Sequence, residues 1–252
     1  MKNRFCSFLA LFIFSFGFTQ EKVKLLMIGN SFTFYYNLPM TIEQFSKHKG
    51  LNWEVHQSTA GGASFKHHWN SEKGLNSVDK IKNNAYTHLI FQEYSNYPLM
   101  AIDTTQKYLN LMHKIANHNS RKFLYATWTY PNILKNNNSS TPSSKAIEDK
   151  LEKIKPSSDF DILPVGRAFD LFQLKYPNQT LFTSDNKHPN SIGCYLAACV
   201  IFSKISNQSS LGVPRRVFEK INNKKDIYYF IVEEKMAKKC QLIADEIVFD
   251  SN

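Results

Sequence analysis

The chain has 252 residues, of which 42% are hydrophobic, and a formal net charge of +10 at pH 7. This length predicts one full-sized domain, and the absence of a fixed-period repeat in the sequence excludes solenoid and propeller architectures. The positive charge favours an acidic polysaccharide, a membrane surface or a merely solvated basic face, and because no nucleic-acid-binding module is recognisable we expect no nucleic-acid partner.

The first twenty residues have the order of a secretory signal peptide. Lys2 and Arg4 precede an apolar stretch that runs from Phe8 to Phe18. Because this stretch is shorter than the roughly 20 apolar residues that span a bilayer, we predict cleavage near Gln20 and no integral membrane anchor. The expected organisation is a signal peptide at 1–20 and a single domain at 21–252, exported to the periplasm or secreted.

Three cysteines remain beyond the predicted signal peptide, Cys194, Cys199 and Cys240, and none of them lies in a CxxC pair. An odd number without this spacing predicts neither a disulfide framework nor a zinc site. The histidines also lack the spacing of a metal site. We therefore expect no metal and no cofactor, and the sequence does not indicate an oligomeric state.

Short apolar runs alternate with longer helical patterns along the rest of the chain. Strands are predicted at 22–28, 51–57, 88–92, 122–128 and 161–165. Helices are predicted at 39–49, 78–84, 104–117, 143–154, 167–175, 191–206 and 227–248. The polar stretch 136–144 is predicted to be an exposed loop. This alternation predicts an α/β fold, a three-layer α/β/α sandwich with a central parallel sheet of about five strands.

The residues that follow the predicted strands carry the candidate chemistry, because the carboxyl ends of parallel strands meet at one edge of a sheet. Ser31 follows the first strand, and Asp185 and His188 lie three residues apart before a predicted helix. A serine needs a base to take its proton, and the base needs a carboxylate to orient it, so these residues are a candidate Ser/His/Asp triad. Considered alone, each segment is equally explained as a turn or a helix cap.

Four sequence blocks follow one another along the chain: Ile28-Gly29-Asn30-Ser31-Phe32-Thr33, Thr59-Ala60-Gly61-Gly62-Ala63-Ser64, Phe91-Gln92-Glu93-Tyr94 and Asp185-Asn186-Lys187-His188-Pro189. They resemble those of the SGNH (GDSL-like) hydrolase superfamily, and within it the DUF4886-like branch. The third block departs from the usual Gly-x-Asn-Asp. The resemblance implies a flavodoxin-like fold and a serine esterase with Ser31, His188 and Asp185 as catalytic residues.

The resemblance also implies an oxyanion hole, which we assign to the backbone N–H groups of Ser31 and Gly62 and to the side chain of Gln92. A glutamine carboxamide carries the same N–H donors as the usual asparagine, on a longer stem. Aromatic and histidine side chains near the blocks are candidates for the substrate-binding rim, although such side chains pack cores just as readily. These rim candidates are Trp128, Tyr130, His68 and Tyr94.

The function expected from these observations is removal of acetyl or similar acyl groups from a carbohydrate, with a small-molecule or polysaccharide ester as the substrate. This substrate class depends on family analogy. One alternative is a lipid esterase or thioesterase, which needs an extended apolar groove. Another is a non-catalytic carbohydrate-binding accessory protein that keeps the fold while its altered third block leaves it inactive.

Overall fold

The computed structural model describes residues 22–83, 85–134, 140–221 and 225–250. The predicted signal peptide at 1–20 and residues 136–139 of the predicted loop at 136–144 lie outside these ranges. The described elements begin with a parallel sheet whose five strands are β1 (Val23–Gly29), β2 (Trp53–Thr59), β3 (His88–Phe91), β4 (Arg121–Tyr125) and β5 (Phe160–Leu163). Their order in the sheet is β2-β1-β3-β4-β5, with every neighbouring pair parallel. The predicted α/β fold with five parallel strands is confirmed.

Ten helices accompany the strands in the described ranges. They are α1 (Ser31–Phe34), α2 (Leu38–His48), α3 (Phe65–Trp69), α4 (Ser77–Asn83), α5 (Tyr97–Met100), α6 (Ile102–Ile115), α7 (Lys145–Lys153), α8 (Val165–Lys175), α9 (Ser191–Ser206) and α10 (Glu234–Phe249). Each of the seven predicted helices overlaps one of these. The short helices α1, α3 and α5 were not predicted, because four or five residues are too few for a periodic pattern.

The central strand β1 is apolar because both faces of the sheet are covered there. In β1, Leu25, Leu26, Met27 and Ile28 are fully buried, as expected for a central parallel strand with helices on both sides. Helix α9 is apolar on nearly all of its surface and contacts α2, α8 and α10, which identifies it as a buried helix. The core therefore lies on both faces of the sheet and continues into the layer around α9.

An antiparallel hairpin precedes the last helix and corrects one prediction. The predicted helix at 227–248 is instead a strand followed by a helix, because β7 (Lys225–Ile231) pairs with β6 (Arg216–Ile221) before α10 begins at Glu234. Residues 227–231 are isoleucine, tyrosine and phenylalanine, which favour strands. In the part of the chain that the structure describes, no helix is long and apolar enough to cross a membrane.

The order of the strands places a crevice at the end of β1. The chain leaves β1 for β2 on one side, and then crosses to β3 on the other side of β1. Ligands of open α/β sheets bind at such a reversal, outside the carboxyl ends of the strands. Ser31 begins α1 directly beyond this end of β1, so the fold places it at the expected position for a binding site.

Candidate active site

A tight turn between β1 and α1 holds Ser31. The Asn30 side chain caps α1 by accepting a hydrogen bond from the Phe32 backbone N–H at 3.1 Å. A Cβ atom on Gly29 would collide with the Thr33 hydroxyl and the Gln92 carboxamide, so the turn needs glycine at this position. As the first residue of a helix, Ser31 has a backbone N–H without an intrahelical acceptor, which leaves it free for a ligand.

The structure brings Ser31 and His188, which are 157 residues apart in sequence, into direct contact. The Ser31 hydroxyl oxygen lies 2.9 Å from His188 Nε2, and His188 Nδ1 lies 2.5 Å from Asp185 Oδ2. A carboxylate accepts a hydrogen bond from the Nδ1–H of a neutral imidazole, which fixes the tautomer in which Nε2 is free to accept a proton from serine. The three residues predicted as a triad thus form one continuous hydrogen-bonded chain with the geometry that this chemistry needs.

Asp185 organises the turn that carries His188. Its Oδ1 accepts hydrogen bonds from the backbone N–H groups of Lys187 and His188, both at 2.9 Å, and from the Thr183 hydroxyl at 2.8 Å. Desolvation of the carboxyl opposes ionisation, but these hydrogen bonds and the one from the imidazole outweigh it and hold the pKa of Asp185 well below its usual range. Asp185 is therefore an ionised partner for His188 throughout the neutral range.

The ends of this turn are also fixed. Phe182 and Pro189 form an isolated antiparallel bridge, which closes the segment that carries Asp185 and His188. The following Asn190 caps α9 by accepting hydrogen bonds from the backbone N–H groups of Ile192 and Gly193, at 2.9 and 3.0 Å. The segment therefore starts at a bridge and ends on a buried helix, so its position relative to β1 follows from the fold.

Two aromatic rings hold the imidazole of His188. Tyr35 stacks on it with the ring centroids 4.6 Å apart and an interplanar angle of 11°, and Phe32 meets it edge-on at 5.6 Å. The sequence analysis did not identify either residue. The available signal was their spacing, because residues one and four positions after Ser31 lie within about one helical turn of it.

The turn that carries Gly62 follows β2, whose last residue Thr59 pairs with Gly29 at the end of β1. Gly62 has a φ of +62°, a conformation that favours glycine. It is partly exposed, and the Tyr94 ring lies 3.8 Å from the position that a Cβ atom would occupy. This location is compatible with the predicted oxyanion role of Gly62, which stays a prediction.

Gln92 does not occupy the predicted oxyanion hole, and this assignment is corrected. Its side chain is fully buried, and its Oε1 accepts hydrogen bonds from the Asn30 backbone N–H at 2.8 Å and from the Thr33 hydroxyl at 3.0 Å. Its amide group donates to the Glu93 carbonyl. Because the side chain is fully buried and its oxygen accepts from the turn, Gln92 supports the turn beneath Ser31 and does not face an accessible surface where substrate could bind.

Trp128 is also not a rim residue. It is fully buried between Phe32 and Phe169, with ring centroids 4.5 and 4.1 Å away. Its indole N–H donates to the Lys187 carbonyl at 2.9 Å. The predicted substrate contact is therefore wrong, and Trp128 instead links the core to the turn that carries His188.

His68 is fully buried as well, which excludes the predicted contact with substrate. Its Nε2 lies 3.1 Å from the Gly29 carbonyl and its Nδ1 lies 2.6 Å from the Ser77 hydroxyl. Burial lowers the pKa of His68 to about 4, so the ring is neutral at pH 7. This histidine fastens helices α3 and α4 to the end of β1.

The other two rim candidates differ in exposure. Tyr130 is nearly buried, and its hydroxyl lies 2.9 Å from that of Ser95, whereas Tyr94 is partly exposed beside Gly62. The Lys187 ammonium lies over both rings, 5.1 Å from the Tyr130 centroid and 5.7 Å from that of Tyr94. Of the four rim candidates, Tyr94 is the one that the structure places at an accessible surface of the site.

Glu93 is a buried carboxyl that the sequence analysis did not single out. Its Oε1 accepts hydrogen bonds from the backbone N–H groups of Phe65 and Tyr94, at 2.9 and 2.6 Å. Burial raises the pKa of Glu93 to about 7, although these two hydrogen bonds favour the ionised form. The Asn30 amide donates to the carbonyls of Ala63 and Glu93, at 2.9 and 3.4 Å. Together, Asn30 and Glu93 join the segments that follow β1, β2 and β3.

The cysteines and the other candidate ligands contribute no further group to the site. Cys194, Cys199 and Cys240 are buried and free. Within the described ranges, no group of three or more His, Cys, Asp or Glu side chains has an arrangement that could hold a metal ion.

No protein-family model matches the chain, and no curated protein is significantly similar to it in sequence. Solved structures do match. A DUF4886 family protein from Bacteroides uniformis is 16% identical with a TM-score of 0.70, and the match covers 92% of this chain and 97% of that one. A proposed SGNH hydrolase from Slackia heliotrinireducens is 18% identical with a TM-score of 0.58, over 73% of this chain and all of that one.

An acetyl xylan esterase is 14% identical with a TM-score of 0.55, and the match covers 72% of this chain and 98% of that one. At these identities the similarity shows the fold. The chain therefore has the α/β fold of the SGNH hydrolases and is similar in structure to a DUF4886 family protein, as the sequence blocks predicted.

Proposed function

We propose that this protein, which has the fold of SGNH hydrolases, is an exported serine esterase that removes acetyl or similar acyl groups from a carbohydrate. The observation that carries the proposal is the chain of hydrogen bonds from Ser31 through His188 to Asp185. In this chain Asp185 holds the imidazole so that its Nε2 faces the Ser31 hydroxyl. The same arrangement is what nucleophilic attack on an ester requires.

In the proposed reaction, His188 Nε2 accepts the Ser31 proton as the serine oxygen attacks the ester carbonyl. The imidazolium is stabilised by Asp185 and then protonates the departing alcohol, after which water repeats the sequence and releases the acid. The backbone N–H groups of Ser31 and Gly62 are the proposed donors to the oxyanion. Loss of one such donor typically costs roughly 2.7–4 kcal/mol of transition-state stabilisation.

The walls beside Gly62 favour a polar alcohol over a long acyl chain. A cavity of about 620 Å³ adjoins Gly62 and is lined by Tyr94, Tyr97 and Lys66 among others. Aromatic rings pack against the faces of sugars, and a cation in the wall disfavours an aliphatic chain. The fold similarity to an acetyl xylan esterase agrees with a carbohydrate ester as the substrate.

Replacement of the nucleophile tests the proposal. We expect Ser31→Ala to lower the rate of acetate release from p-nitrophenyl acetate and from an acetylated polysaccharide by roughly 10⁴-fold or more, without a change in thermal stability. A serine-directed phosphonate should label wild type on the peptide that contains Ser31 and should not label the variant. Ser143→Ala, at an exposed serine before α7, is the matched control and should behave as wild type.

The alternatives give different outcomes in the same experiment. A preference for p-nitrophenyl esters of long chains over acetate and butyrate would support a lipid esterase. A protein that neither hydrolyses any of these esters nor reacts with the phosphonate would be a non-catalytic binding protein, and the esterase proposal would then be wrong.

A further inference from the structure

Lys187 has a backbone that the active-site turn fixes on both sides. Its N–H donates to Asp185 Oδ1, and its carbonyl accepts from the Trp128 indole, both at 2.9 Å. Its side chain leaves this anchored position and brings the ammonium over the rings of Tyr130 and Tyr94. Two ring faces attract a cation electrostatically, so the charge is held at this place in a partly exposed residue.

No carboxylate pairs with this ammonium in the described part of the chain. Asp185, the nearest acid in sequence, uses its two oxygens for His188, Thr183 and backbone N–H groups. Lys122 shows the contrast, because its fully buried ammonium lies 2.7 Å from Asp159. Lys187 thus keeps a cation in a partly buried position without an internal counterion, which makes it available to an anion from outside.

The two rings place this cation next to the reacting centre. Tyr94 contacts the position of Gly62, the proposed oxyanion donor, and Tyr130 meets the edge of Phe32, the residue after Ser31, with centroids 6.4 Å apart. Lys187 itself directly precedes His188 in the chain. An anionic group bound to Lys187 would therefore lie on a part of the substrate close to the ester.

A second lysine lines the cavity beside Gly62. Lys66 is exposed there, and its ammonium has no hydrogen bond or ion pair with any described residue. At about 620 Å³ the cavity is of the size of a small-molecule site. Tyr94 also lines this cavity, and the Lys187 ammonium lies over its ring. An aromatic ring in such a wall can stack on a sugar.

From this placement we propose that the preferred substrate is an ester of an anionic sugar, one that carries a carboxylate or a sulfate, and that Lys187 pairs with this anion. The inference builds on the proposed esterase function and names the substrate class of that site. A neutral sugar ester gains nothing from the ammonium, whereas an anion gains a charge-assisted hydrogen bond near the site of reaction. Lys187 is in this view a specificity-determining residue.

Matched esters test the inference. The kcat/KM for acetate release is measured on three mono-O-acetylated methyl hexosides: the neutral glucoside, its 6-sulfate and the corresponding glucuronoside. We expect wild type to prefer one or both of the anionic esters by about tenfold or more, as for an ion pair shielded from bulk water. The preference should fall toward one in Lys187→Met and Lys187→Gln, and Lys187→Arg should retain most of it because the charge is kept.

The control is Lys150→Met, which removes one positive charge from an exposed position on α7 and should leave the preference as in wild type. A wild type that hydrolyses the three esters equally would overturn the inference, and so would a preference that survives in Lys187→Met. If Lys150→Met lost the preference as fully as Lys187→Met, the preference would come from net charge, and this too would overturn the inference.

Binding measurements separate this inference from the esterase proposal. The same three acetylated esters, which are the neutral glucoside, its 6-sulfate and the glucuronoside, are titrated by calorimetry into Ser31→Ala and into Ser31→Ala/Lys187→Met. Tighter binding of an anionic ester that is lost in the double variant supports the role of Lys187, even if wild type hydrolyses no ester. Equal binding of all three, or no binding, overturns it.

Discussion

Replacement of Glu93 by glutamine tests whether burial raises the pKa of this carboxyl, which joins the segments behind the proposed active site. The folded protein holds the pKa of Glu93 at about 7, against an ordinary value of 4.5 that applies to the unfolded chain. The folded state therefore binds this proton more tightly than the unfolded state does. The resulting contribution to stability is complete below pH 4.5 and is lost as the pH rises through 7.

The size of the loss follows from the two pKa values. Each factor of ten in the acid dissociation constant corresponds to about 1.4 kcal/mol, so the ionisation of Glu93 costs the fold about 3 kcal/mol once the pH is well above 7. Glutamine keeps the acceptor for the Phe65 and Tyr94 N–H groups but has no charge to bury. Any cost of its buried amide is the same at every pH.

The measurement is urea unfolding of wild type and Glu93→Gln, followed by tryptophan fluorescence at several pH values. We expect the free energy of unfolding of the variant, relative to that of wild type, to rise by about 3 kcal/mol between pH 4.5 and about pH 9. Glu234→Gln, at an exposed carboxyl on α10, is the control and should show a nearly flat difference. A flat difference for Glu93→Gln would mean that Glu93 is ionised throughout, and the argument from burial would be wrong.

Two further predictions concern the residues around Ser31 and His188. Gln92→Ala leaves the Asn30 N–H and the Thr33 hydroxyl buried without an acceptor, so the free energy of unfolding measured by chemical denaturation should fall by about 2–4 kcal/mol. A loss below about 1 kcal/mol would contradict the corrected role of Gln92. Tyr35→Ala removes the ring that stacks on His188, a contact worth about 0.5–1.5 kcal/mol. The kcat for acetate release should therefore fall roughly 2- to 10-fold, with little change in KM. An unchanged kcat would show that the ring does not orient the imidazole.

Much of the fold was readable from the sequence because the strands and long helices carry strong local patterns. The strands of the sheet are short runs with apolar or β-prone residues, clearest in β1, and α9 is an apolar stretch of helical length. The main error was the helix predicted at 227–248, where the hairpin of β6 and β7 precedes α10. A run such as residues 227–231 suits a strand or one turn of a helix, and pairing with β6 decides between them.

The side-chain environments were less readable. We predicted that Gln92, Trp128 and His68 lie near the crevice because they follow predicted strands. They lie close to it, but their side chains are buried in the core. A strand end determines the edge of the sheet at which a residue stands, but the packing of neighbouring elements determines whether its side chain faces ligand or core. In each of these three cases a buried side-chain polar atom makes a hydrogen bond with a backbone group of a neighbouring segment.

The sequence by itself determined the parts of the proposed site that depend on local spacing. Asp185 and His188 are three residues apart, so one turn lets the carboxylate bind both the backbone N–H and the ring of the histidine. Only the tertiary structure decided that this turn meets Ser31, because 157 residues of chain separate the two. Helix α9, which follows the turn, packs against α2, which follows α1, and this packing sets the turn beside Ser31. The tertiary structure also decided that Gln92 supports the turn and that the Lys187 ammonium lies over the rings of Tyr94 and Tyr130, since burial and the choice of partner are properties of the assembled fold.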